Sequence, residues 1–97
     1  MNTIEQYITL LSEFKKQRGS LYGINRIGIF GSVAKGLNTE NSDVDIYYEG
    51  KALSLFKIAA LRDELENILQ ASVDIVRLRE SMNGLLKSTI MKEGIYV

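Results

Sequence analysis

Gly31-Ser32, an interval of ten residues and Asp43-Val44-Asp45 make up the stretch of this chain whose residue types and spacing point to chemistry. The stretch opens where one apolar run, residues 24–30, breaks off, and it closes as a second begins. It therefore reads as strand, glycine turn, short helical or loop segment, strand. Small residues at the end of a strand let backbone N–H groups come close to an anion. Aspartates at i and i+2 on a strand share a face, and their carboxylates repel each other unless a divalent cation offsets the charge. A phosphate cradle followed by paired carboxylates is the equipment of phosphoryl or nucleotidyl transfer.

The chain contains four aspartates, Asp43, Asp45, Asp63 and Asp74. Asp63 falls on the polar face of a predicted helix and reads as solvated surface. The other three fall on predicted strands, where aspartate is disfavoured, and several local rules broken together suggest a site rather than a fold requirement. Taken singly each has a bland reading: Asp43 caps the start of its strand, and Asp74 pairs with Arg77 or Arg26. Taken together beside the Gly-Ser turn, they read as a metal site.

Composition excludes much other chemistry. There is no cysteine and no histidine, which removes disulfides, thiolate catalysis, cysteine-ligated zinc, histidine general bases and most transition-metal sites. What remains is carboxylates, hydroxyls, Lys/Arg, backbone dipoles and a hard metal ion. Twelve basic and twelve acidic residues give a formal net charge of zero, without the basic excess that long nucleic acids attract. No apolar run approaches the roughly 20 residues of a membrane span. The first residues lack the basic and apolar parts of a signal peptide, so the expected location is the cytoplasm.

The elements that must hold this stretch follow from periodicity. Residues 3–18 place Ile4, Tyr7, Ile8, Leu11 and Phe14 at helical spacing. Asn2 or Thr3 can cap the start, the basic Lys15, Lys16 and Arg18 suit the last turn, and Gly19 suits the end. Residues 24–30 (INRIGIF) form a first strand, in which Gly28 signals close packing or close ligand approach. Residues 33–37 make one helical turn and 38–42 a polar loop. Residues 43–49 (DVDIYYE) form a second strand, with Val44, Ile46 and Tyr48 on the core face and Asp43, Asp45 and Tyr47 on the other. Residues 52–69 read as an amphipathic helix with Leu53, Phe56, Ala60, Leu61, Leu65, Ile68 and Leu69 on one side, and 72–78 as a third strand. A strand–helix–strand order of this length implies a parallel pair, which lets Asp74 share a surface with Asp43 and Asp45. Residues 82–93 form a closing helix and 95–97 a short extended tail. Tyr7, Phe14 and Phe56 are expected in the core. Tyr47 is either packed or able to stack a base, and Arg77 and Arg79 read as solvated charges. With 97 residues, no repeat and no proline, one domain over 1–97 is expected.

At these residues the chain resembles a known family. Gly31-Ser32, ten residues and Asp43-Val44-Asp45 fit the signature GSx10DxD of the nucleotidyltransferase superfamily that includes DNA polymerase beta. Asp74, within Val73-Asp74-Ile75-Val76, stands where that superfamily places its third acidic residue. The closing stretch, residues 90–97, is similar to the tail of the minimal nucleotidyltransferases. Lys35 stands where many relatives carry arginine, which keeps the charge but loses the planar fork.

The fold expected is α/β: a small mixed three-stranded sheet in order 1-2-3 with helices on one side, as a polymerase beta-like nucleotidyltransferase core. The resemblance implies that Gly31 and Ser32, with Lys35, bind the phosphates of a nucleoside triphosphate. Asp43 and Asp45 would ligate two Mg²⁺ ions, and Asp74 would complete the second site and help deprotonate an acceptor hydroxyl. The substrate implied is ATP, giving AMP transfer to a partner protein. The partner implied is a small helical HEPN-type toxin, with this chain as its antitoxin in a homo- or hetero-oligomer. The alternative is a binding module that keeps the nucleotide pocket and inhibits by contact.

Overall fold

Residues 3–37 and 43–97 are described by a computed structural model; the polar loop expected over 38–42, and Asn2 as a cap, lie outside them. Helix α1 (Ile4–Arg18) begins at Thr3. The Thr3 hydroxyl accepts from the Gln6 N–H at 3.2 Å, and the Gln6 side chain accepts from the Thr3 N–H at 2.7 Å, a reciprocal cap that satisfies two otherwise free donors. The helix does not end in a left-handed Gly19. It runs into a 3-10 turn, Gly19–Tyr22, and the left-handed residue is Gly23.

The first strand, β1 (Ile24–Phe30), leads into α2 (Gly31–Ala34), a single turn that begins at Gly31 itself rather than at residue 33. The second strand, β2 (Val44–Gly50), is followed by α3 (Leu55–Leu69), capped by Ser54, and β3 (Val73–Arg77). Asn83 caps α4 (Gly84–Glu93), its side chain accepting from the N–H groups of Leu85 and Leu86.

The sheet is mixed, as expected, with β1 antiparallel and β3 parallel to β2. It has four strands rather than three. The tail forms β4 (Ile95–Tyr96), antiparallel to β1, giving the order β3-β2-β1-β4. Gly28 makes this possible: a Cβ there would run into the Ile95 carbonyl and come within 2.7 Å of the Tyr47 ring.

Helices cover both faces of the sheet, not one. On one face Leu11 and Phe14 of α1 and Leu61, Leu65 and Leu69 of α3 pack against Ile27, Ile29, Val44, Ile46 and Tyr48. On the other, Ile90 of α4 and Met82 pack against Phe30 and Tyr47. Phe56 is not core; it is 90% exposed. Helix α3 starts at Leu55, and its buried stripe runs through Leu61, Leu65 and Leu69 at i, i+4 spacing. Phe56 precedes Leu61 by five residues, well over a quarter-turn off that stripe.

Candidate active site

Alternation along β2 sends Val44, Ile46 and Tyr48 into the main core and turns Asp45 and Tyr47 to the α4 face. Tyr47 is only 4% exposed and meets Phe30 edge to face, with ring centroids 6.2 Å apart, so its ring is part of the packing on this face. Asp45 is the half-buried neighbour left on that face.

The parallel register of β2 and β3 places Asp45 opposite Asp74 and Val44 opposite Val73. Residues in register on parallel neighbours point to the same side, so the two carboxylates stand side by side at one end of the sheet. Asp43 is exposed and lies just ahead of β2 rather than within it. The three are coupled electrostatically. Burial pushes the Asp45 carboxyl above its ordinary range, and the neighbouring Asp74 and then Asp43 carboxylates add to the shift. Both bland readings of Asp74 fail: Arg26 pairs with Glu49 at 3.3 Å, and Arg77 donates to the Gly50 carbonyl at 2.9 Å. Among the described residues no ion pair neutralises Asp43, Asp45 or Asp74.

The glycine turn closes on the same point. Phe30 is paired with Asp45 across β1 and β2, which brings the next residue, Gly31, over the Asp45 side chain. Gly31 has φ +75°, and a Cβ there would collide with the Asp45 carboxylate. Glycine is thus required twice, by conformation and by contact. Within the turn the N–H of Lys35 donates to the Gly31 carbonyl at 3.2 Å and that of Leu37 to the Ser32 carbonyl at 2.9 Å. Ser32 is half-buried at the start of α2. Lys35 follows α2 and pairs with Glu93, the last residue of α4, at 3.1 Å.

The structure therefore brings Gly31, Ser32, Asp45 and Asp74 together, with Asp43 beside them and Lys35 held at the rim. Their donor chemistry, hard carboxylate oxygens short of counter-charge, fits Mg²⁺. As the side chains stand, no three acidic groups among the described residues close around an ion; the arrangement is open. Glu93 is the residue that sequence reasoning missed. Nothing in its helical position signals a partner so distant in the chain. A separate groove of about 380 Å³ lies towards the other end of the sheet, lined by Arg26, Tyr47, Arg79, Lys87, Ile90 and Tyr96 among others; none of the aspartates reaches it. No helix of the described residues is long and apolar enough to cross a membrane.

Comparison with known proteins meets this geometry from another side. Residues 11–97 match the model of the nucleotidyltransferase domain family. The protein adenylyltransferase MntA of Thermococcus cleftensis is 35% identical over 98 residues, which cover 100% of this chain and 98% of the relative. A crystal structure of a toxin–antitoxin with AMP-PNP superposes with a TM-score of 0.72 at 27% identity, covering 98% of this chain and 72% of that one. A structure of a candidate minimal nucleotidyltransferase gives a TM-score of 0.72 at 28% identity, covering 97% and 95%. With the family model matched from residue 11 to the last residue and a relative aligned along the whole chain, this chain belongs to the nucleotidyltransferase domain family, as a minimal nucleotidyltransferase.

Proposed function

We propose that this chain, acting as one domain over 1–97, is a Mg²⁺-dependent protein adenylyltransferase of the cytoplasm. It moves AMP from ATP to a hydroxyl of a small helical HEPN-type partner and so acts as that partner's antitoxin. The observation that carries this reading is the register of Asp45 with Asp74 directly beneath Gly31. Two further facts support it: the relative from Thermococcus cleftensis is named a protein adenylyltransferase, and a similar solved structure is a toxin–antitoxin with an ATP analogue.

In this reading Gly31 and Ser32 hold the β- and γ-phosphates through backbone N–H and the Ser32 hydroxyl, and Lys35 adds a cationic contact. Asp43, Asp45 and Asp74 are the ligands for two Mg²⁺ ions, which would neutralise the attacking and leaving oxygens of an in-line displacement. Asp74 also takes the proton of the acceptor hydroxyl. The acceptor oxygen bonds to the α-phosphorus, the bond from that phosphorus to the α,β-bridging oxygen breaks, and pyrophosphate leaves.

A second reading, a nucleotide-binding antitoxin that inhibits by contact, draws on the similar toxin–antitoxin solved with AMP-PNP. ATP labelled at the α-phosphate, or separately at the γ-phosphate, is incubated with the protein, Mg²⁺ and a lysate of its host. The first reading requires Mg²⁺-dependent α-label on a protein band, absent with γ-label and with Asp45→Asn. Tight Mg-ATP binding without any transfer would favour the second.

A further inference from the structure

Resting on the nucleotide reading above, we infer that Glu93 is a positioning residue for the triphosphate and that it acts through Lys35. The two side chains meet at 3.1 Å, with 47% of Lys35 and 33% of Glu93 exposed. Glu93 Oε2 is buried and has no hydrogen-bond partner among the described residues. The carboxylate thus depends on the lysine: if Lys35 swung fully away, Glu93 would be left a part-buried, unpaired charge, which is costly.

The helix end that carries Glu93 is fixed. The Gly94 N–H donates to the Ile90 carbonyl at 2.7 Å, and Ile90 is buried against Phe30 and Tyr47. A Cβ at Gly94 would lie 2.9 Å from the Tyr47 ring, so the last turn of α4 sits directly on the sheet. Lys35, in contrast, is a long flexible side chain at the end of a one-turn helix, and it would lose considerable rotamer freedom on gripping a phosphate. An ammonium carries three donors. Glu93 engages one and leaves two for phosphate oxygens. It therefore orders Lys35 before the nucleotide arrives, without competing for the whole charge. Tyr47 and α4 serve the phosphate turn in the same way, as the seat on which Glu93 stands.

The test is a double-mutant cycle on Mg-ATP affinity, measured by calorimetry on the full chain as wild type, Glu93→Gln, Lys35→Ala and both together. E93Q should weaken Mg-ATP binding roughly two- to fivefold, the range of a part-exposed ion pair. In the K35A background the same change should not weaken binding, because its only route to supporting the phosphates is gone and only the relief of an unpaired negative charge remains. Thermal melting of E93Q within a few degrees of wild type is expected alongside. Unchanged affinity in E93Q, or equal weakening in both backgrounds, would overturn the inference, the second outcome marking a general loosening of α4. A wild-type chain that binds no Mg-ATP would instead defeat the nucleotide reading itself, and this inference with it.

Discussion

Replacing Gly31 by alanine tests whether the turn and the carboxylate site are one structure. Two costs are expected. A non-glycine residue at φ +75° costs about 1–2 kcal/mol. The new Cβ also meets the Asp45 carboxylate, which must leave its rotamer at about 0.5–1.5 kcal/mol or push the turn off β1. Gly36 supplies the control: its φ is +73°, but a Cβ there meets nothing within 4 Å among the described residues, so Gly36→Ala carries the first cost without a clash against them. Both variants are melted thermally and assayed for AMP transfer. Gly31→Ala should melt roughly 6–28 °C below wild type, on about 4–8 °C per kcal/mol for a domain of this size, and distinctly below Gly36→Ala. Its transfer rate should fall about 100-fold, because a displacement near 1 Å at the reacting groups costs about that much. Equal melting points and equal rates for the two variants would refute the claimed contact between turn and carboxylate.

Three further predictions come from the same structure. Asp45 has a raised carboxyl pKa, so in the metal-free chain its contribution to stability is full below the ordinary carboxylate range and is lost as pH rises through the raised value. Asp45→Asn should accordingly melt higher than wild type at neutral pH without Mg²⁺ and flatten that part of the pH profile, while losing transfer activity. Glu64 has the opposite sign: hydrogen bonds from Arg18 and Tyr22 hold its carboxyl below the ordinary range despite partial burial. Glu64→Gln should therefore cost about 1 kcal/mol at neutral pH, a difference that disappears in denaturant titrations as pH falls through the lowered value. Phe56→Ala should change stability by less than about 0.5 kcal/mol, as for an exposed site, whereas Leu61→Ala, fully buried, should cost about 2–5 kcal/mol.

Much of the fold was legible because the central strands and the two long helices are strongly patterned. Alternation in residues 43–49 gave the correct faces of β2, and the strand–helix–strand spacing gave the parallel neighbour that aligns Asp45 with Asp74. What escaped was set by partners far along the chain. A two-residue strand such as Ile95–Tyr96 has no period to detect; it exists because Gly28 leaves room for its carbonyl. Phe56 was expected in the core for its apolar character, although five residues before Leu61 it stands off the stripe through Leu61, Leu65 and Leu69. Helix α4 lies on the opposite face through Ile90, Tyr47 and Phe30, a choice its own weak pattern does not reveal. In the site, the Gly-Ser turn and the aspartates were visible as residue types, but Glu93 became visible only once α4 was placed beside the turn.

The most direct measurement of the central claim is the intact mass of a purified HEPN-type partner after incubation with this chain, ATP and Mg²⁺. The account predicts a mass increase of one or more AMP units, mapped to a hydroxyl side chain, that EDTA or Asp45→Asn abolishes. A partner of unchanged mass, under conditions where the wild-type chain binds both Mg-ATP and that partner, would contradict it.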